Sequence, residues 1–386
     1  MAFDREKMMY IGGLSISVAG VEDIPAVCGL MKMHADRLGI RALLRHPDGQ
    51  ELQSSDLCDR LMHLMEQRPV LYQCLLARNE RREPVGYIAW HDAFSSWRFA
   101  LGVMIRDAFV IDNFGPPLLG KALVSCVEAI AIIRGRVRLE TGLPLIHYNE
   151  CAEREKELFK LEQFVRQPQW LIYRADLSDF EKCLEDFDIG YRERHQSRVT
   201  PWVNEPLKYR KEMRFEVRNS LINFVHRAAL NQNVDRSLKV SWVEATCRID
   251  DLLSMEDHPF RFILARIPGR RISVAPAFML THDAFTPYGP YATWWIEDMY
   301  SQVHRGGYGY ALCRYLCDRA KEENIRRIET RVLVNSFGAR VFFKSMGLIE
   351  DSNPKWIIMC KDLTASYRTK NYARSKQLLD YYKIKV

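Results

Sequence analysis

From about residue 214 onward, the apolar positions fall into blocks whose period switches between that of a strand and that of a helix. Arg214–Val217 predicts a short strand and Leu221–Ala229 a helix. Trp242–Leu253 predicts a further helix, and Arg261–Arg266 with Val274–Thr281 a strand pair. Thr293–Tyr300 reads as a longer strand. Gly309–Glu323 carries apolar residues at Ala311, Leu312, Tyr315, Leu316 and Ala320, one face of a helix. A strand at Arg327–Val334, a helix at Gly338–Lys344 and a last strand at Lys355–Cys360 complete the series. Residues 179–212 are polar, charged and without period, and contain Pro201 and Pro206, so they read as a linker, helical in part.

The same series runs twice. His91-Asp92-Ala93-Phe94 recurs as His282-Asp283-Ala284-Phe285, and Arg106-Asp107 falls on Glu297-Asp298 at the same offset. Arg138-Leu139-Glu140-Thr141 matches Arg327-Ile328-Glu329-Thr330, Asn149 matches Asn335, and Trp170-Leu171-Ile172 matches Trp356-Ile357-Ile358. Order is kept and the offset drifts by a few residues, as trimmed loops would produce. A period of half the chain means a duplicated domain. The expected division is 10–178, a linker at 179–212, 213–365, and a basic tail at 366–386.

Composition narrows the class. Of 386 residues, 47% are hydrophobic and 27% charged, the profile of a globular protein. No apolar run approaches the roughly 20 residues of a membrane helix, and the N-terminus has no signal core, so no membrane role and an intracellular, cytoplasmic setting are expected. The ten cysteines show no framework. Cys313 and Cys317, four apart on a predicted helix, are read as core and not as metal ligands; no metal is expected. The net charge of +7 suits an anionic cofactor. After Thr364, Arg368, Lys370, Arg374, Lys376, Lys383 and Lys385 face one acid, Asp380. That is the pattern of a solvated tail or terminal helix, and a nucleic-acid partner is not expected.

One turn carries candidate chemistry. His304-Arg305-Gly306-Gly307-Tyr308-Gly309 lies between a predicted strand and helix. Glycines allow close backbone approach, and free N–H groups at a helix start can cradle a pyrophosphate, with His304 and Arg305 adding donors. The first half has Asn113-Phe114-Gly115-Pro116-Pro117-Leu118-Leu119-Gly120 instead. Two prolines there have no N–H to offer.

The element order, with Trp295-Ile296-Glu297-Asp298-Met299-Tyr300 ahead of the glycine turn, resembles the Gcn5-related N-acetyltransferase (GNAT) superfamily. Val85-Gly86-Tyr87-Ile88-Ala89-Trp90, Phe94-Ser95-Ser96-Trp97 and Ile105-Arg106-Asp107-Ala108-Phe109-Val110 are similar to its diamine (spermidine/spermine-type) branch. The resemblance covers roughly residues 14–177 and 213–363. It implies an α/β (α+β) fold class: two tandem GNAT folds, each a mixed, mostly antiparallel sheet flanked by helices. It implies acetyl-CoA as cofactor, bound in the second half along Met299, Ser301, His304, Arg305, Gly306, Gly307, Tyr308, Gly309, Tyr310, Asn335 and Phe343. It also implies a backbone oxyanion donor at Met299 or Tyr300, and Glu297 as the carboxylate that attracts an amine and accepts its proton. Arg106, at the first-half position of Glu297, would repel an ammonium group.

Where that family has a tyrosine as general acid, this chain has Phe343, which cannot donate a proton; Tyr300, Tyr308 and Tyr310 are alternative hydroxyls. Asp250, Asp251, Glu256 and Asp257 could favour a cationic acceptor, although solvated surface is the plainer reading. Tyr288, Tyr291, Trp294 and Trp295 could line a pocket or cover a sheet. His91 and His282 read as strand-end residues of the repeat. Two functions stay open: an N-acetyltransferase acting on a small amine or a lysine side chain, and a pseudoenzyme whose folds bind a protein partner.

Overall fold

Two seven-stranded mixed sheets account for both copies of the repeat. The computed structural model describes residues 13–37, 53–67, 70–95, 98–111, 116–144, 164–166, 170–195, 202–204, 218–219, 221–223, 240–254, 260–266, 277–285, 292–301, 306–350 and 356–386. In chain order the first half gives β1 (Ser15–Val18), α1 (Ile24–Arg37), α2 (Ser54–Glu66), β2 (Gln73–Arg78), β3 (Pro84–Ser95), β4 (Ala100–Val110), α3 (Pro116–Ile133) and β5 (Arg138–Pro144). Then follow β6 (Val165–Arg166), β7 (Trp170–Asp176), α4 (Leu177–His195) and β8 (Trp202–Asn204). The second half gives α5 (Trp242–Ser254), β9 (Phe260–Arg266), β10 (Ala277–Phe285), β11 (Ala292–Ser301), α6 (Tyr308–Glu322) and β12 (Arg327–Leu333). It ends with α7 (Phe337–Ser345), β13 (Ile349–Glu350), β14 (Trp356–Asp362) and α8 (Ala365–Tyr381). The predicted strand Arg214–Val217, and Leu221–Ala229 beyond residue 223, lie outside the described residues.

The sheet orders are β1-β2-β3-β4-β5-β14-β6 and β13-β7-β12-β11-β10-β9-β8. Each contains one parallel pair, β4 with β5 and β11 with β12, joined by the crossover helices α3 and α6. Both crossover helices end on a left-handed residue at matching repeat positions, Gly135 and Asn324. There the N–H of Arg136 bonds Ala131 O and that of Ile325 bonds Ala320 O, each at 2.8 Å.

The halves exchange their last strands. β7 pairs with β12 from Asp176↔Arg327 to Trp170↔Leu333, so it belongs to the second sheet. β14 pairs with β5 from Asp362↔Arg138 to Trp356↔Pro144, so it belongs to the first. Sequential units at 10–178 and 213–365 therefore do not describe the sheets. Trp170-Leu171-Ile172 and Trp356-Ile357-Ile358 are matching sequences, and either could in principle dock on either sheet.

The helices follow their strands across. α4 fills the first part of the expected linker and packs on α6, where Tyr310 Oη donates to Leu184 O at 3.1 Å. Gly347, at φ 83°, is seated so closely under α4 that a Cβ would fall 2.9 Å from Cys183 Sγ. The expected tail is helix α8, capped by Thr364, whose Oγ1 accepts from Tyr367 N at 3.2 Å. Leu379, Tyr382 and Ile384 enter the core beside Leu119 and Leu123 of α3. Glu128 of α3 accepts from Lys361 Nζ at 2.7 Å and from Tyr367 Oη at 2.6 Å. The basic residues lie on the outer side: Lys370, Arg374, Lys376, Lys383 and Lys385 are exposed.

Strand-pair tips cross as well. Phe94, Phe99 and Leu101 join Ala245, Ile249 and Leu252 of α5 in one apolar cluster, and the Phe285 ring packs at a tilt on Tyr72 with centroids 4.7 Å apart. Cys313 and Cys317 are core residues of the second sheet, and burial pushes both thiols upward, Cys317 to about 11.

Candidate functional site

A β-bulge sets the geometry of both halves. Between β10 and β11 the register runs Leu280↔Asp298 and then Thr281↔Ile296, which leaves Glu297 as the extra residue. Between β3 and β4 it runs Ala89↔Asp107 and then Trp90↔Ile105, which leaves Arg106. A bulge bends its strand and re-aims a side chain. β11 stays with β12 only from Thr293↔Arg327 to Ile296↔Thr330. Beyond that point β11 continues along β10 to Ser301, and β12 continues along β7 to Leu333. The two parallel strands therefore part after the bulge, and the backbone of Glu297–Ser301 faces a cleft. The first sheet opens likewise after Ile105↔Thr141.

At the mouth of the second cleft stands the start of α6. Gly307 is its N-cap at φ 77°, with no side-chain cap and no acid in the first turn, so the first helical N–H groups and the positive end of the helix dipole are available to an anion. Gly306, Tyr308 and Met299 are half-buried around it, and Ser301 ends the strand. Asn335 is exposed in the turn where β12 ends. These features suit an anionic group at the helix start. His304 and Arg305 lie outside the described residues, as do residues 112–115 of the first-half turn.

The other candidate residues have packing surroundings of their own. Gly309 lacks a side chain for a packing reason: a Cβ there would meet the Phe342 ring at 3.1 Å and Met299 Cε at 3.7 Å. Phe343 is buried in the second core, and Phe342 packs against the same core with its ring beside Gly309. Tyr310 Oη is bonded to Leu184 O inside the protein, which removes it as a proton donor. Tyr300 stays half-buried but leans on Phe278 on the opposite face from Met299, and Tyr308 packs at the rim of the second core.

Glu297 lies where the halves meet and is 8% exposed. Its Oε1 accepts from Arg331 Nη2 at 2.5 Å and its Oε2 from Trp295 Nε1 at 3.2 Å. Arg331 Nη1 reaches both oxygens of Glu140, a first-half residue, at 2.8 and 3.0 Å. Burial raises the Glu297 carboxyl, and Arg331 offsets part of that rise. Burial acts on Glu140 too, but Arg138 and Arg331 together hold it down at about 2. Arg106 makes the reciprocal link, donating to Glu329 Oε2 at 2.7 Å and to Phe285 O at 2.9 Å. Its guanidinium lies over Trp295, and Trp294 is buried under Arg261, so both tryptophans cover sheet. Tyr288, Tyr291, Glu256 and Asp257 lie outside the described residues. Asp250 pairs with Arg218 at 2.5 Å.

His91 and His282 are mid-strand, not strand-end, and face each other across the junction with centroids 5.7 Å apart. Burial depresses both, His282 to about 4, and His91 further through His282 and Arg106. A base depressed in the folded state is stabilising above its unfolded value, here about 6.5, and that contribution is lost as pH falls toward 4. For His282 alone the loss is about 3 kcal/mol. Glu297, raised by burial, runs the other way, but it is one group against two. Melting temperature is therefore expected to fall between pH 6.5 and 4, and His91→Gln with His282→Gln to flatten that slope. An unchanged slope in the double variant would contradict this.

Comparison with known proteins follows the same division of the chain. Residues 229–348 match the Acetyltransferase (GNAT) family, so the second half carries a GNAT acetyltransferase domain. No curated protein matches the chain in sequence. Among solved structures, a tandem GNAT protein from the clavulanic acid biosynthesis pathway is 13% identical, with a TM-score of 0.46 over 91% of this chain and 99% of that one. A GCN5-related N-acetyltransferase from Sphaerobacter thermophilus is 12% identical, with a TM-score of 0.45 over 91% and 96%. Among the described residues, no helix is long and apolar enough to cross a membrane.

Proposed function

We propose, from a second half that carries a GNAT acetyltransferase domain, that this protein is an acetyl-CoA-dependent N-acetyltransferase of primary amines with its chemistry in the cleft between β11 and β12. The supporting observation is that the bulge, the parted strands and the uncapped glycine-led helix converge there. When bound, acetyl-CoA supplies a thioester whose C–S bond breaks as the acetyl carbon bonds to the amine nitrogen. Gly306, Gly307 and the first N–H groups of α6 would hold its phosphates, and the strand backbone from Met299 to Ser301, with Asn335, would hold its arm. The Met299 or Tyr300 N–H would stabilise the negative charge that develops on the carbonyl oxygen.

Glu297 takes the amine's proton through water, a role suited to a carboxylate whose proton affinity burial has raised. Phe343 supplies no acid, so the CoA sulfur would leave as thiolate, which a thiol pKa near 8.5 allows. The acceptor is a polyamine-like small amine or a lysine side chain, in keeping with the resemblance to diamine acetyltransferases.

A second reading is favoured by one observation: both oxygens of Glu297 already have partners. It makes the protein a pseudoenzyme in which the same fold serves a protein partner. Incubation with acetyl-CoA and a panel of polyamines, arylalkylamines and lysine peptides decides between the two. The enzyme gives acetylated product, and Phe343→Tyr, by restoring the hydroxyl that the resembled family has there, raises the rate or lessens its pH dependence. Acetyl-CoA binding with no product from any amine would establish the second reading.

A further inference from the structure

We propose that Glu140, from the half with the proline-interrupted turn, is a positioning residue for the opposite half's base: by holding Arg331 it keeps Glu297 able to accept a proton. This rests on the reading of Glu297 as the base.

Arg331 stands between two carboxylates and is shared unequally. Its Nη1 lies within 3.0 Å of both Glu140 oxygens, while Nη2 alone reaches Glu297. Trp170, on the exchanged strand β7, lies under the same guanidinium at 5.2 Å. Arg138 adds a second cation to Glu140 at 2.8 Å. The first half thus grips Arg331 from two strands.

The groups around Glu297 can be named from each neighbouring strand. Trp295 and Asp298 flank it on β11, and Arg331 faces it from β12. His282 Nε2 of β10 is 4.0 Å from Oε2, and Arg138 and Glu140 act from β5. Arg331 favours the ionised carboxylate and Glu140 opposes it. Without Glu140 the whole charge of Arg331 falls on Glu297, which then releases its proton more readily. Without Arg331, Glu297 is left buried beside another carboxylate and holds its proton to higher pH. The two removals act in opposite directions, which loosened packing would not produce.

The test uses the full chain with ¹³C-labelled glutamate carboxyls. The resonance missing in Glu297→Gln identifies Glu297, and its titration is followed with pH in each variant. In Glu140→Gln the midpoint moves down by about one unit or more, and in Arg331→Gln it moves up by a similar amount. The low-pH limb of the acetylation rate moves with it. If Glu140→Gln lacks a cooperative melt, Glu140→Asp keeps the charge at longer reach and gives a smaller downward shift. Midpoints that stay put, or move the same way in both variants, overturn the proposal while Glu297→Gln still sharply lowers turnover. Turnover that survives Glu297→Gln overturns the base itself, and the proposal with it.

Discussion

Expressed separately, residues 1–200 and 201–386 are each expected to lack a cooperative thermal transition, and to regain one when expressed together as a 1:1 complex. The exchanged strands are the cause. Fragment 1–200 lacks β14, which lies between β5 and β6, and fragment 201–386 lacks β7, which lies between β12 and β13. Each fragment also loses the helix laid over its crossover helix, α8 over α3 or α4 over α6. Leu379, Tyr382 and Ile384 alone bury three large side chains, at about 1.5–3 kcal/mol each. That sum is comparable with the whole 5–15 kcal/mol by which a typical domain is stable. Cross-half pairs such as Arg106–Glu329 and Arg331–Glu140 would be cut, leaving buried charges alone, each costing several kcal/mol. Circular dichroism melts and size-exclusion chromatography of the fragments check this. A monomeric 201–386 that folds alone, with β14 returned to β12, would show the exchange to be dispensable.

Replacing Glu297 with Gln should lower acetylation by roughly 10²–10⁴-fold, the range of a lost general base. Fold and acetyl-CoA affinity should hold. Glutamine keeps the size and can still accept from Trp295 Nε1, and Arg331 remains anchored by Glu140. The proposed cofactor contacts lie on backbone and at Gly306–Gly307, away from the carboxylate. Steady-state rates with a responsive amine, beside melting curves of both proteins, separate lost chemistry from lost structure. Undiminished turnover would leave Glu297 as a junction ion pair and nothing more.

Much of the architecture was legible because period reports element type directly. The helix Tyr308–Glu322 and the strands Phe260–Arg266 and Arg327–Leu333 fall within a residue or two of their expected bounds. The exchange was not legible, since β7 and β14 are near copies and pairing preference resides in the whole sheet. For α8 the sequence left a solvated tail or a terminal helix open, because its buried side, Ser375, Leu379, Tyr382 and Ile384, is sparse among basic residues. In the site, the glycine turn and Glu297 stood out by position in the repeat. Their partners did not. Arg331 and Glu140 belong to no local motif and meet only because the two halves pack bulge to bulge.

With Pro116 and Pro117, which have no N–H, at the start of α3 and glycines at the start of α6, one acetyl-CoA per chain is expected. Calorimetric titration of the full chain with acetyl-CoA tests it most directly, with Gly307→Val beside the wild type. Gly307 sits at φ 77°, where a β-branched residue is strained, so valine should distort the turn and remove most of the affinity. One acetyl-CoA per chain is expected in the wild type and little binding in the variant. Two tight sites, or one that Gly307→Val leaves untouched, would contradict it.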